Sequence, residues 1–342
     1  MNPNKPSILI TGASGMVGGH IALQLLSSGI SIRLLVRNRK KTEHYLNELI
    51  DFYKLELKLS NSIIEWCESD LSDIPALEIA MQGMTSVIHA AALVSVYSSD
   101  TSKMNKSNIE GTANLVNLAL FHNIKWFGYV SSVATLGPNP DGLVDEDYFW
   151  KPGKHHTIYA TSKYMAEQEV WRGQEEGLSV LVVNPAFIIG PSTEERSSAR
   201  VFYQLNRGIP GFINGEGGYV DVRDVAQAMV SFWKNQECNK RIILSSENLT
   251  TQAFLKKSAV ALNAKIPNRE VSGWMVKLAS RIDGLISFFL LKRPTLTKDL
   301  VRMSLSKNRY DNQKSIDLGV QYRSVDQSLA EIAPFYQSQF QK

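Results

Sequence analysis

The chain has 342 residues, 44% of them apolar and 20% charged, and its 37 Lys and Arg against 33 Asp and Glu leave a net charge of +4. At roughly 150 residues per domain this is about two domains, or one large α/β domain with an appendage, and a lone small module is excluded. Such a composition also excludes a disordered chain and a basic one built to coat nucleic acid.

Cys67 and Cys238 are the only cysteines, with no CxxC or His-rich cluster beside them. Neither a disulfide framework nor a bound metal is expected, and a reducing, cytoplasmic setting fits. The opening MNPNKP leads into a short apolar run without a signal-peptide pattern.

SILIT (7–11) reads as a first strand, followed by helical spacing over 16–27. SIRLLV (31–36), a helix over 41–56, SIIEWC (62–67) and a weaker helix at 74–82 come next. SVIHAA (86–91), a helix over 105–122, FGYVSS (127–132), a helix over 159–176 and SVLVVN (179–184) complete six short, β-branched strands of the kind buried on both faces. Six strands separated by helices make two βαβαβ halves, hence an α/β Rossmann fold with a doubly wound parallel sheet and right-handed crossovers. Beyond Pro185 one more helix-strand pair remains, 222–235 and RIILSS (241–246), while 190–218 and 247–342 read as mostly helical or irregular. The expected division is therefore a dinucleotide domain of 1–189 plus 219–246, and a smaller, mostly helical substrate domain of 190–218 plus 247–342. GLISFFLL (284–291) is too short for a bilayer, which needs about 20 residues, and Lys277, Arg281 and Asp283 interrupt it upstream, so a buried or interfacial helix is expected. Trp274, Leu278, Ile282, Leu285 and Phe289 form an apolar stripe at helical spacing. Such a stripe is usually core; the alternative is that part of it lines a pocket for a bulky apolar substrate.

In TGASGMVGGH, Gly12, Gly15 and Gly18 lie between the first strand and first helix. Glycines there permit a tight turn, close approach of backbone to a pyrophosphate and close helix-strand packing, with the anion at the helix N-terminus. Where an NAD site usually carries an acid for the ribose 2′-hydroxyl, the second strand ends in Arg37, followed by Arg39, Lys40 and Lys41. NADP(H) is thus expected over NAD(H), with Arg37 at the 2′-phosphate and one or two of the other cations merely solvated. Tyr159 and Lys163 stand four residues apart. That spacing alone is weak, because Tyr310 and Lys314 repeat it. Context separates them: Tyr159 begins the helix between the fifth and sixth strands, and Ser132 ends the fifth, at the strand ends where ligands bind.

TGASGMVG, Asp70-Leu71, HAAA (89–92), NIEGT (108–112), YVSSVATLG (129–137), YATSK (159–163), NPAFIIGP (184–191) and YVDVRDVA (219–226) occur in the order seen in the extended short-chain dehydrogenases/reductases. Over nearly its whole length the chain resembles that superfamily, the NAD-dependent epimerase/dehydratase family. The branch it looks most like is the dihydroflavonol-4-reductase-like one, since Asn184 precedes the proline where sugar-nucleotide epimerases usually have Arg.

The resemblance implies a catalytic set of Ser132, Tyr159 and Lys163, with Asn108 in the cofactor and proton-relay region or, equally, a helix N-cap. It implies cofactor contacts from Gly12, Ser14, Gly15, Met16, Val17, Gly18, Asp70, Leu71, Ala90, Ala91, Ala92, Pro185 and Ile188, and from Tyr159 and Lys163 themselves. Reducing a carbonyl leaves an alkoxide that must be protonated. A phenol of pKa near 10 is a weak acid for this at neutral pH, and Lys163 on the same helix face is expected to lower it. His89 is expected to be a packed strand residue, His155 and His156 a solvated loop, and the acidic run 145–147 an exposed turn. Val133 and Ala134 follow Ser132 where dehydratases typically carry an acidic pair, which disfavours dehydration. The reading is an oxidoreductase on a small, apolar carbonyl or secondary alcohol; a sugar-nucleotide epimerase and a non-catalytic dinucleotide sensor are the alternatives. A small-molecule substrate is the expected partner, with a homodimer open and neither nucleic acid nor a membrane span expected.

Overall fold

The computed structural model describes residues 7–59, 63–139, 142–150, 153, 156–195, 197–209, 211–289, 293–294 and 296–341, with the backbone alone at 288 and 289. In chain order the strands are β1 Ile8–Thr11, β2 Ile32–Val36, β3 Ile64–Glu68, β4 Ser86–His89, β5 Trp126–Val130, β6 Leu143–Val144, β7 Val180–Pro185, β8 Phe187–Ile189, β9 Glu216–Asp221, β10 Lys240–Leu244, β11 Glu247–Thr250 and β12 Arg309–Tyr310. Seven of them form one parallel sheet in the order β3-β2-β1-β4-β5-β7-β10. This is a Rossmann fold, and its strand order reverses between β1 and β4, opening a crevice at their C-terminal ends.

The sheet is covered on both faces because its central strands β1, β4, β5 and β7 are buried along their whole length. Ile8, Ile10, Leu34, Leu181 and Ile242 join helices Met16–Ser27, Arg39–Tyr53 and Val222–Lys234 in one buried cluster. Leu9, Val87, Phe127, Val180 and Val182 face helices Ile74–Met81, Gly111–Phe121 and Ile158–Glu175 in the other. Side-chain caps start several of these helices: Asn38, Asp73, Thr157 and Asp221 accept from the backbone N–H of Lys41, Ala76, Ala160 and Arg223. Helix Met16–Ser27 begins instead on Gly15, with no side-chain cap and no acid in its first turn.

The region after Pro185 is less helical than its sequence suggests. β8, β9 and β11 make a second, three-stranded sheet, and β6 pairs with β12. EGGYVD carries two glycines and no apolar alternation, so nothing in its local pattern announces β9; pairing to Phe187–Ile189 and Glu247–Thr250 makes it a strand. Ile189, Phe202, Tyr219, Phe254, Leu329 and Tyr336 build a third buried cluster around it. The described part of the 274–289 stripe is not buried core. Helix Gly273–Phe289 exposes Trp274, Leu278, Ile282 and Leu285, and the Phe289 side chain lies outside the described residues.

Candidate active site

Gly12 has φ +80°, and a Cβ there would stand 2.5 Å from the Ala91 nitrogen. A Cβ on Gly18 would stand 2.3 Å from the Gly12 carbonyl oxygen. The loop is thus folded as tightly against β4 and its own helix as glycine allows, and Gly15 N–H donates to Gly12 O at 2.9 Å. Ser14, Gly15, Met16 and Val17 stay partly accessible at the uncapped helix N-terminus. Free N–H groups, the positive end of the helix dipole and the missing first-turn acid suit an anion, so these residues fit a dinucleotide's pyrophosphate.

Arg37 is exposed at the end of β2 and joins no salt bridge among the described residues. Of the cations after it, Arg39 pairs with Glu43 at 3.7 Å and Lys41 with Glu194. Across the crevice, burial opposes ionisation of Asp70, but hydrogen bonds from Ser72 and the charges of Arg37 and Lys106 hold its carboxyl below the usual range. Leu71 is buried, and Ala90, Ala91 and Ala92 line the crevice mouth after β4, with Ala91 N–H donating to Thr11 Oγ1 at 3.3 Å. Pro185 is buried at the end of β7, and Ile188 packs from β8 against the cluster under the glycine loop.

Ser132 follows β5, accepting from Ala134 N–H at 3.2 Å. Tyr159 stands in the first turn of helix Ile158–Glu175, whose start is pinned by Thr157 and by Asp299, which accepts from Ile158 N–H at 2.8 Å. Burial pushes the Tyr159 phenol up to about 12, partly offset by its hydrogen bond with Ser132. Lys163 Nζ donates to Tyr129 Oη at 2.7 Å and Val130 O at 2.8 Å. Burial is the largest influence on the Tyr159 phenol. Burial also draws Lys163 down to about 7, with Glu167 opposing.

Asn108 is not a helix N-cap. It sits in a π-turn, Asn105–Glu110, where Leu93 N–H donates to Oδ1 at 2.7 Å and Nδ2 donates to Leu93 O and Ser162 Oγ. The register places Thr11, His89 and Tyr129 side by side across β1, β4 and β5. The ring of His89 bridges Thr11 Oγ1 at 2.7 Å and Thr112 Oγ1 at 3.0 Å, and burial followed by the Lys163 charge drives it down to about 3, so it is neutral. A buried polar row thus runs from the glycine loop to Lys163.

Sequence reasoning missed the hub beneath the site. Glu167, fully buried one turn beyond Lys163, accepts from Ser131 Oγ at 2.5 Å, Thr135 Oγ1 at 3.0 Å, Asn184 Nδ2 at 3.1 Å and Trp171 Nε1 at 3.2 Å, and pairs with Arg241. Asn184 Nδ2 also donates to Ser132 O at 3.0 Å, tying the hub to the Ser132 backbone. The available signal was Glu167 in i,i+4 register with Lys163, combined with an Arg inside a strand that should be apolar. Of the loop expectations, His156 is corrected: it stacks on Trp150 with ring centroids 3.4 Å apart. The acidic run 145–147 is a turn with Asp145 and Asp147 exposed, while Glu146 accepts from Ile243 N–H at 2.9 Å. His155 lies outside the described residues. Tyr310 is buried in β12, bonded to Asn248, away from the crevice. Among the described residues no cluster of His, Cys, Asp and Glu could hold a metal.

Residues 8–244 match the NAD dependent epimerase/dehydratase family. The chain belongs to that family. It is 29% identical over 337 residues, 96% of this chain and 94% of the relative, to a protein of Synechocystis sp. that carries the provisional name dihydroflavonol 4-reductase. It is 26% identical over 335 residues, 95% and 90% of the two chains, to cinnamoyl-CoA reductase 1 of Petunia hybrida. Among solved structures, yeast methylglyoxal/isovaleraldehyde reductase complexed with NADPH superposes with a TM-score of 0.74 at 19% identity, covering 98% of each chain. The UDP-glucose 4-epimerase of Thermus thermophilus, solved with NAD, shares the fold with a TM-score of 0.72 at 19% identity, covering 96% of this chain and 98% of that one.

Proposed function

We propose that this protein is an NADP(H)-dependent oxidoreductase that interconverts a carbonyl and a secondary alcohol on a small apolar substrate. The observation that carries this reading is the Ser132–Tyr159 pair at the C-terminal edge of the sheet, beside an uncapped helix N-terminus and a buried lysine. The relatives named as dihydroflavonol and cinnamoyl-CoA reductases support reductase chemistry on apolar carbonyl compounds. When bound, the nicotinamide supplies or accepts the hydride.

Ser132 and Tyr159 together would hold the substrate oxygen. A phenol held near 12 is protonated at neutral pH, so Tyr159 is in the form that donates to a developing alkoxide. Lys163, near 7, bonded to Tyr129 and one turn along the same helix as Tyr159, would turn toward a ribose hydroxyl of the bound cofactor. Asn108 ties Leu93 to Ser162, whose hydroxyl donates to Tyr159 O at 2.9 Å. The cofactor side consists of Gly12 to Gly18, Asp70, Leu71, Ala90 to Ala92, Pro185 and Ile188. Arg37 favours NADP(H), because a free guanidinium can pair with the 2′-phosphate. In this reading residues 1–189 plus 219–246 bind the dinucleotide and 190–218 plus 247–342 shape the substrate site. The setting we propose is cytoplasmic, in keeping with free Cys67 and Cys238.

NADPH consumption should be measured against aromatic ketones, aliphatic aldehydes and nucleotide sugars. Turnover is expected with an apolar carbonyl. Because epimerisation returns the cofactor unchanged, the nucleotide sugars should also be followed for epimerised product: its appearance without net NADPH consumption would favour the epimerase reading, and NADPH binding with neither consumption nor epimerised product would favour a sensor.

A further inference from the structure

Helix Gly273–Phe289 is amphipathic in the reverse sense. Its inward side consists of Val276, Ser280 and Ser287, with Ser280 donating to Leu296 O at 2.7 Å and Asp283 accepting from Leu296 N–H at 2.7 Å. Its outward side presents Trp274, Met275, Leu278, Ile282, Leu285 and Ile286, with Trp274 68% and Leu285 62% exposed. Scattered exposed apolar residues are ordinary, but six on one helix face form a contiguous patch of the kind that marks an interaction surface.

The charges decide what kind. Lys277 and Arg281 are exposed on this helix, whereas Asp283, its one acid, is occupied with Leu296. The face is therefore apolar and cationic, complementary to an anionic bilayer surface: apolar side chains sink to the acyl boundary while Lys and Arg stems reach the headgroups. Among the described residues no helix is long and apolar enough to cross a membrane, so this one can lie on it and not span it. The chain then returns directly to the active site. Arg293 pairs with Asp100 at 3.1 Å and stands over the Tyr97 ring, and Asp299 accepts from the first N–H of the Tyr159 helix.

We propose that helix Gly273–Phe289 docks the protein onto an anionic lipid bilayer, lying flat in the interface with Trp274, Leu278, Ile282 and Leu285 inserted and Lys277 and Arg281 among the headgroups. This inference goes beyond the reductase reading and does not depend on it.

The full chain should be floated with phosphatidylcholine vesicles with and without phosphatidylglycerol. Co-flotation is expected with the anionic vesicles and should weaken as salt is raised. Ile282→Glu with Leu285→Glu, and separately Lys277→Glu with Arg281→Glu, should each lower partitioning about tenfold or more while NADPH binding is unchanged. Because these residues are exposed, the variants should fold; unchanged circular dichroism would verify it. Tryptophan emission should shift to the blue on vesicle addition in the unaltered protein and not in Trp274→Phe, which should still float. Absence of flotation, flotation indifferent to the glutamate variants, or a blue shift that survives Trp274→Phe would overturn the proposal. A dimer in light scattering that Ile282→Glu with Leu285→Glu converts to monomer would assign the face to a second copy and overturn it equally.

Discussion

Helices Ile158–Glu175 and Gly273–Phe289 both break the rule that polar residues face water, and they do so for opposite reasons. In the first, Ser162, Lys163 and Glu167 are buried, and each finds partners: Asn108, Tyr129 and Val130, and the Ser131–Thr135–Asn184–Arg241 set. In the second, small polar groups are buried against the Leu296 backbone while the large apolar side chains are left outside. Desolvating charge is costly unless it is paired, so a buried polar network on a helix marks machinery that must be held in place. Leaving apolar area in water has its own cost, which a partner surface removes. One inversion looks inward to chemistry and the other outward to an interface.

The sharpest way to test the first helix is Tyr159→Phe. Turnover is expected to fall by about 10²–10⁴-fold, the usual contribution of a positioned acid, with NADPH affinity nearly unchanged. Tyr310→Phe should leave turnover alone; the reverse result would move the site away from this helix. Steady-state kinetics and a fluorescence titration of the cofactor decide between them.

Glu167→Ala should cost about 3 kcal/mol of stability in denaturant unfolding, the low end for removing one partner of a buried pair, since Arg241 keeps some contact with water. Glu167→Gln keeps the shape and removes the charge. Because the Glu167 carboxylate raises Lys163 against the effect of burial, Lys163 should then fall below about 7. An ammonium is lost as pH rises through its pKa, so the alkaline limb of kcat/KM against pH should move to lower pH. A limb that stays put would separate Lys163 from the titration.

Cofactor preference is a smaller effect. NADPH is expected to bind at least about tenfold tighter than NADH, and Arg37→Asp should erase or invert that ratio. Equal affinities in the unaltered protein would mean that Arg37 merely faces solvent. Smallest of all, Ser280→Ala on the second helix should cost less than about 1 kcal/mol, because one hydrogen bond to Leu296 is lost and no charge is stranded.

Much of the site was readable before any coordinates. Gly12 and Gly18 announce a backbone approach that a Cβ would obstruct, and the described geometry has that crowding. Arg37 was readable as the cation just beyond the second strand, and it follows β2 directly. Lys163 was readable as a neighbour of Tyr159 but not as a ligand of Tyr129, since the i,i+4 spacing fixes a helix face and not where a flexible side chain points on that face. Asn184 drew notice only as a missing Arg; its bonds to Glu167 and Ser132 O depend on bringing β7 beside the loop after β5.

By itself the sequence determined the parallel sheet, its helices and the glycine loop, because each depends on local periodicity and on residues whose backbone freedom or apolarity is intrinsic. Tertiary structure alone decided the rest. Whether EGGYVD is a strand depends on two distant partners, and whether Glu167 is an exposed helix charge or a buried hub depends on Arg241, 74 residues away. The stripe from Trp274 to Leu285 has the same period whether it faces core or solvent. Only the packing of Ser280 and Asp283 onto Leu296 turns it outward. Periodicity specifies a face, and long-range contacts choose what that face meets.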